Sequence, residues 1–493
     1  MNRAIARPCI FVVAVSILSG CAAPGPIGIM RYLSGEDQPP TAIHWKIKFD
    51  GSGSSPVIAD GLLYVGSADG AIYALDPKTG ETKWRFQTGE SLSSGPNVIT
   101  VPRGTSIDDQ MNAGIIAAEK RRGEGIRRVD MTPAVENGTV FVGSGDHSFY
   151  AIDAATGKKK WSYAAGPGMA SPNFSSITEP ASVLKNGSVY VVTEDGLHAL
   201  DVLTGKRKWL FETLQEIPIE QMNMRRKRAP EGPVLGDGVI FLTAWPYIRG
   251  DTPLKCFIYA VDPESGKAKW VTSMDGLDIT APTTAKGLAV FAVEEKPTLL
   301  ARSDRVTLYA INASNGQVKW KFGAEKQWGT RPLLVADNTI CFRTEKSLFA
   351  LELETGRQLW SFSADEIGRS FQADDQHLYV VTHKGTMARP DDTIHVLAIN
   401  TGHEKWSQSL SGSVRVAMVY DGVVYAGGTL LHAIDSTSGK ELWSFKGTGR
   451  ETARLISRGR IFLTSSTVTY FGTSRVDQGY LYAIDAKADK LKP

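Results

Sequence analysis

The sequence predicts an all-β fold, a β-propeller of four-stranded antiparallel blades closed by an N-terminal strand, and three observations carry this expectation. First, one phrase recurs, with Ala followed by Gly six residues on and by Trp four after that. It stands at Ala74/Gly80/Trp84, Ala151/Gly157/Trp161, Ala199/Gly205/Trp209, Ala260/Gly266/Trp270, Ala310/Gly316/Trp320, Ala350/Gly356/Trp360 and Ala433/Gly439/Trp443, and in shortened form at Ala398/Gly402/Trp406. Second, each phrase follows short β-rich runs divided by turn residues, so one repeat of roughly 40 residues reads as a four-stranded sheet. Such a sheet cannot bury both faces alone, and radial repetition lets each blade cover its neighbour. Third, a last copy begins at Ala483-Ile484-Asp485 but ends without a Trp, while an unclaimed strand, His44-Trp45-Lys46-Ile47-Lys48, precedes the first repeat. That strand is expected to complete the last blade and to tie down a terminus that would otherwise fray. Repeats beginning near Ser55, Pro133, Ala181, Pro233, Pro282, Pro332, Phe371, Ala417 and Ala453 count nine blades; eight is the commoner upper value.

At the start of the chain, residues 1–20 read as a leader. Arg3 and Arg7 form a positive region, and Cys9 to Leu18 is an apolar stretch too short to span a bilayer. Leu18-Ser19-Gly20-Cys21 follows and resembles the bacterial lipobox, whose cysteine becomes the acylated first residue of the mature protein. The alternative is a plain secretory signal cleaved near Ala22 or Ala23. Cys21 is thus the expected lipidation site, and its acyl chains would anchor the protein with no transmembrane helix. Ala22, not Asp, follows the cysteine, which resembles outer-membrane sorting in Gram-negative lipoproteins. The expected location is lipid-anchored at the outer membrane with the propeller facing the periplasm. Residues 21–43, with Pro24, Pro26, Pro39 and Pro40, read as a tether, and 44–493 as the propeller. Loss of residues 1–20 removes two Arg and lowers the formal charge from +3 to +1. Charges this evenly balanced argue against a general nucleic-acid binder.

Within the first repeat, Pro56-Val57-Ile58, Leu62 to Ser67, Ala71 to Leu75 and Lys83 to Phe86 read as the four strands. Asp60-Gly61 joins the first two as a tight hairpin, because both positions tolerate positive φ. Equivalent pairs stand at Asn137-Gly138, Asn186-Gly187, Asp237-Gly238 and Asp421-Gly422. Lys286-Gly287 and Arg458-Gly459 keep only the Gly, and Asp337-Asn338 and Asp375-Gln376 have lost it. Each Trp falls on the outermost strand, where a flat ring wedges between blades and the Gly lets backbone pass close beneath it. Cys256 and Cys341 fall in the fourth and sixth repeats, which are not neighbours in a ring, so buried thiols are expected, not a disulfide.

Antiparallel topology sends the first-to-second and third-to-fourth turns to one end of the ring. The second-to-third turns and the links between blades go to the other end. The first end holds only tight turns. Every sizeable insertion falls on the second: 90–130, 212–231, about 245–255, 293–306, 384–393 and 465–478. Loop elaboration on one end of a rigid scaffold is where binding sits. Two of these insertions are basic, Glu119 to Asp130 and Arg225-Arg226-Lys227-Arg228. Arg is favoured at protein interfaces and in carboxylate recognition. The candidate partner-binding residues are therefore Arg121, Arg122, Arg127, Arg128 and Asp130; the alternative reading is a solvated charged loop.

The phrase Ala-x-Asp-x-x-Thr-Gly-x-x-x-Trp resembles the repeat of the pyrroloquinoline-quinone (PQQ) propeller superfamily over nearly the whole mature chain. The superfamily holds quinoprotein alcohol dehydrogenases, sensor domains and BamB, the propeller lipoprotein of the β-barrel assembly machinery. A lipobox followed closely by a Trp strand and a propeller is most similar to the BamB branch. Val129-Asp130-Met131-Thr132-Pro133 resembles that branch's partner-binding segment. The resemblance implies a protein-interaction scaffold whose partner is a β-barrel assembly subunit, with no catalytic residues, cofactor or metal. The alternatives are a periplasmic ligand-binding or sensory propeller and a PQQ-dependent dehydrogenase. Against the dehydrogenase stand the absence of any Cys-Cys pair, of a clustered Asp/Asn/Glu set suited to calcium, and of metal-ligand spacing among the eight His. No Gly-rich phosphate loop follows a strand, either.

Overall fold

The computed structural model describes residues 43–49, 53–88, 132–144, 146, 148–164, 182–193, 196–214, 230–245, 255–295, 305–325, 334–336, 338–386, 389–411, 414–447, 450–471 and 474–486. The elements among them are strands, gathered into nine antiparallel sheets. In blade 1 the strands are Val57–Ala59, Leu62–Gly66, Ala71–Leu75 and Thr82–Gln87, paired in chain order. Blades 2 to 8 repeat this order, starting at Ala134, Ser182, Glu231, Asp278, Leu334, Glu366 and Arg415. The innermost strand of blade 5 is in two pieces, Asp278–Ile279 and Thr283–Ala285, both paired with Leu288–Glu294. Blade 9 takes three strands from Arg450 to Asp485, and its fourth, outermost strand is Ile43–Phe49.

The blades meet through nine apolar clusters, one at each junction, and the last joins blade 9 to blade 1. The period-2 alternation of a strand produces this arrangement, because successive side chains point to opposite sheet faces. In blade 9, Ile461 and Leu463 pack toward blade 8, while Phe462 between them packs against Leu63 and Val65 of blade 1. Second and third strands, covered on both faces, are therefore buried through their centres, as in Thr139–Ser144, where every residue is buried.

The Trp of each phrase sits between blades, as the sequence implies, but it does not cover the Gly of its own phrase. Trp45 lies over Gly80, Trp84 over Gly157 and Trp161 over Gly205, and the same stagger holds round to Trp406 over Gly439. Several indoles also donate across the junction: Trp84 Nε1 to the Ala154 carbonyl at 2.8 Å, and Trp360 Nε1 to that of Ile399 at 2.8 Å. Each of these two rings thus adds a hydrogen bond to its packing, which satisfies the one polar atom that burial would otherwise strand; the buried Trp443 Nε1 has no such acceptor among the described residues.

Ring closure follows the expected route. Trp45 is the register partner of Ala483, and Ile47 that of Leu481. His44 Nε2 lies 2.7 Å from Asp485 Oδ1, and Lys46 Nζ stands over the Tyr480 ring. Three details differ from the sequence reading. The innermost strands of blades 7, 8 and 9 start at Glu366, Arg415 and Arg450, ahead of the expected positions. Each of them carries a register irregularity that inserts extra residues, at Ile367/Phe371, Val416/Met418 and Ala453/Leu455. The segments 384–393 and 465–478 belong to long hairpins, not separate loops: His377–Thr386 pairs with Arg389–Ala398, and Arg460–Phe471 with Ser474–Asp485.

Candidate partner-binding face

The two ends of the ring differ in chemistry. At the tight-turn end the first-to-second hairpins are left-handed pairs: Asp60 and Gly61 have φ of 50° and 80°, and Asn186 and Gly187 of 49° and 68°. Lys286 and Arg458 hold the same conformation without the Asn or Asp that favours it, at φ 47° and 50°. Asp375-Gln376, which has lost its Gly, turns differently; the Asp374 carboxylate accepts from the backbone N–H of Gln376 and His377. Asp337 lies outside the described residues. The third-to-fourth turns of blades 1 to 5 and 8 are Asx turns, while blade 6 has Glu352 at the same position. Asp201 Oδ1 accepts from Thr204 N and Thr204 Oγ1, both at 2.9 Å, and Asp153 and Asp262 do the same for Thr156 and Ser265. The two turns of a blade are tied together, for example Val202 N to the Gly187 carbonyl at 3.1 Å and Ser436 N to that of Gly422 at 2.9 Å. This end meets its backbone demands internally.

The opposite end carries the long connections, and the described residues at their bases form a polar rim. In blade 1, Asp69 Oδ1 accepts from Ala71 N at 2.9 Å, and Oδ2 from Tyr73 OH at 2.8 Å and from Arg85 Nη2 at 3.2 Å. Burial, and then Asp69, raise the Tyr73 hydroxyl above its ordinary range, so it stays protonated and donates. Blade 2 repeats the turn, with Asp146 Oδ2 accepting from Tyr150 OH at 2.6 Å. Ser144 Oγ donates to Thr88 Oγ1 at 2.8 Å and stitches these two blades together.

Further round, the rim is buttressed by buried polar groups. Arg343, 4% exposed, donates from Nη1 to the Ile367 carbonyl of blade 7 at 3.3 Å. Asp392 is fully buried at the base of the long blade 7 hairpin; its Oδ1 lies 2.7 Å from His383 Nδ1, and its Oδ2 accepts from Val414 N of blade 8. A carboxylate removed from water in this way is stable only with such donors. His198, also buried, bridges Tyr163 OH of blade 2 and Thr193 Oγ1 of blade 3 at 2.9 and 2.8 Å. These groups brace the elaborated end across blade junctions. They convert a row of hairpins into a stiff platform.

Cys21, Arg121, Arg122, Arg127, Arg128 and Asp130 all lie outside the described residues, so the structure places none of them. It does place the ends of the connection that carries the five interface candidates, Thr88 and Thr132, on the elaborated end. Cys256 and Cys341 are buried free thiols in blades 4 and 6, as expected. Burial pushes both up to about 12. Among the described residues, no group of three or more His, Cys, Asp and Glu side chains is placed to hold a metal ion. No helix there is long and apolar enough to cross a membrane. Sequence reasoning missed the rim. The Asp69/Tyr73 and Asp146/Tyr150 pairs share a four-residue spacing that was there to be read. The His383–Asp392 pair depends on hairpin register and leaves no such trace.

The sequence profile of the outer membrane protein assembly factor BamB matches residues 37–126, 126–244, 255–370 and 348–491. A quinohemoprotein alcohol dehydrogenase of Pseudomonas putida is 22% identical, over 72% of this chain and 52% of its own length. BamB of Nitrosomonas eutropha is 30% identical, over 24% of this chain and 30% of its own length. The chain thus spans about half, or less, of the length of these curated relatives. The crystal structure of quinohemoprotein alcohol dehydrogenase from Comamonas testosteroni superposes with a TM-score of 0.50 at 14% identity, covering 92% of this chain and 77% of that one. That likeness is one of fold alone.

Proposed function

This chain belongs to the family of the outer membrane protein assembly factor BamB, and on that premise we propose that it is a non-enzymatic, outer-membrane-anchored lipoprotein serving as a protein-interaction scaffold in β-barrel assembly. In this reading Cys21 carries the lipid anchor, residues 21–43 are the tether and the propeller faces the periplasm. The elaborated end receives a β-barrel assembly subunit, with Arg121, Arg122, Arg127, Arg128 and Asp130 near the centre of contact. One observation carries the reading: the long connections leave from one end only, above a braced polar rim, while the other end is closed by self-satisfied turns. Solubilisation in mild detergent followed by co-purification tests it. A stoichiometric assembly subunit is expected with the wild type. Changing Arg121, Arg122, Arg127 and Arg128 to Glu should weaken its capture with folding intact, since exposed loop changes cost within about 0.5 kcal/mol. Reversal of Lys78, Lys158 and Lys206 at the tight-turn end should leave capture unchanged. The opposite pattern would reject the face. Mass spectrometry of the mature N-terminus tests the anchor: an unmodified terminus at residue 22 or beyond rejects Cys21.

The likeness to quinohemoprotein dehydrogenases favours a second reading, a PQQ-dependent alcohol dehydrogenase. Against it, no three or more His, Cys, Asp and Glu side chains among the described residues come together to hold a metal ion, and calcium draws its charged ligands from such carboxylates. Added PQQ, calcium and an artificial electron acceptor decide the matter. Turnover of an alcohol would overturn the scaffold reading.

A further inference from the structure

The tight-turn end is not uniform around the ring. The third-to-fourth turn of blade 2, residues 153–160, carries Lys158, Lys159 and Lys160 against Asp153 alone. That of blade 3, residues 201–208, carries Lys206, Arg207 and Lys208 against Asp201 alone. The flanking turns balance: Lys78 and Lys83 against Asp76 and Glu81 in blade 1, Lys267 and Lys269 against Asp262 and Glu264 in blade 4. The two basic turns abut, because Trp161 of blade 2 lies over Gly205 and donates to the Val202 carbonyl at 3.0 Å.

Part of this charge is committed to the fold. Lys160 Nζ donates to the Gly138 carbonyl and Thr139 Oγ1, and Lys208 Nζ to the Gly187 carbonyl and Ser188 Oγ; each also faces its own turn aspartate at 3.6 Å. Lys158, Lys159, Lys206 and Arg207 are exposed, and their side chains make no hydrogen bond or ion pair among the described residues. At the apex of the same blade 3 turn stands Leu203, 81% exposed. The matching apex positions elsewhere hold Lys78, Ala155, Glu264, Ser314, Glu354 and Thr437. A large apolar side chain held in water amid unpaired cations is the pattern of a surface that meets an apolar interior beneath an anionic layer.

We propose that the blade 2–blade 3 corner of the tight-turn end docks on an anionic phospholipid surface, with Lys158, Lys159, Lys206 and Arg207 against lipid phosphates and Leu203 entering the headgroup boundary. An acidic protein surface would account for the cations but leaves the leucine without a role. The docking is separate from the protein contact assigned to the other end and stands or falls apart from it.

The ring closes on itself between residues 43 and 486, so the test uses residues 39–493, which omit Cys21. Co-sedimentation is measured with vesicles of phosphatidylcholine alone and of equal parts phosphatidylcholine and phosphatidylglycerol. The wild type should pellet with the anionic vesicles only, and less so as salt is raised. Changing Lys158, Lys159, Lys206 and Arg207 to Glu should lower the partition coefficient by roughly a hundredfold or more. Leu203→Ser should lower it by about fivefold with all charges intact. Reversing Lys78, Lys83, Lys267 and Lys269 should leave it near wild type, with thermal melts confirming that each variant folds. No preference for anionic vesicles, or equal losses from the control reversal, overturns the proposal. So does an unchanged partition for Leu203→Ser, which would mark plain charge attraction of the kind an acidic protein would exploit.

Discussion

At the scale of single residues, the glycines of the repeated phrase do two jobs. They adopt positive φ, and they leave room for the indole of the preceding blade. These roles separate by comparing Gly205 with Gly61. Both lie in the left-handed region, at φ +68° and +80°, but a Cβ on Gly205 would meet the Trp161 ring at 2.5 Å while one on Gly61 meets nothing within 4 Å. Each Ala substitution should cost about 1 kcal/mol for conformation. Gly205→Ala should add about 1–3 kcal/mol for displacing the ring. Thermal melts should therefore show the larger loss for Gly205→Ala, and equal losses would mean the ring yields freely. The thiols support a second expectation. Cys256 and Cys341 are wholly buried, and burial pushes their thiols up to about 12, so at neutral pH both are protonated. In residues 39–493 neither should react with a thiol reagent at neutral pH until the ring is unfolded, when both should titrate.

At the scale of elements, the Asx turn is the recurring device. Thr156 and Thr204 donate to Asp153 and Asp201 through hydroxyl and backbone N–H; backbone and hydroxyl of Ser265 do the same for Asp262, and hydroxyl and backbone of Ser438 for Asp435. These bonds hold each carboxyl below its ordinary value. A carboxyl depressed in the folded state stabilises it above the unfolded value, near pH 4, and that support fades as pH falls through the folded value. The melting temperature should therefore fall on the acid side of about pH 4. Changing Asp153, Asp201, Asp262 and Asp435 together to Asn should flatten that acid limb. The turns are exposed, so each contributes little and salt should blunt the effect. An acid limb equally steep in the variant would place the titration elsewhere. The innermost strands obey a different rule. Register irregularities interrupt them in blades 4 and 7 to 9, and an extra residue of this kind bends a strand locally.

At the scale of the molecule, closure decides whether nine sheets act as one body. The junction between blades 9 and 1 is built from Trp45, Phe49, Phe462, Leu481 and Ala483 against Leu63, Val65 and Leu75. Arg460 of blade 9 adds hydrogen bonds to the carbonyls of Pro77 and Lys78 in blade 1. Deleting residues 44–48 removes the outer strand and the indole over Gly80, and leaves Ser474–Asp485 with an unpaired edge. The truncated protein should melt at lower temperature and aggregate as its concentration rises, since a bare edge recruits other strands. An unchanged melting temperature with no aggregation would mean the ring is held by another junction.

Much of this was legible in the sequence because the signals are local. Positive φ selects Gly, so tight turns announce themselves, and a Trp at fixed spacing marks each outer strand. The nine repeats, their antiparallel order and the missing last Trp found at residue 45 follow from counting such marks. One-sided elaboration also follows, since strand parity alone assigns each connection to an end. Other features exist only once the blades are assembled. The stagger that sets Trp161 over Gly205 and not over a residue of its own phrase depends on how far one sheet is rotated past the next. The pairing of His383 with Asp392 needs the register of a hairpin, and the capture of Val414 by the same carboxylate needs the neighbouring blade. Turn and strand are chosen by forces a few residues long, whereas contacts between blades are chosen by the fit of two complete surfaces.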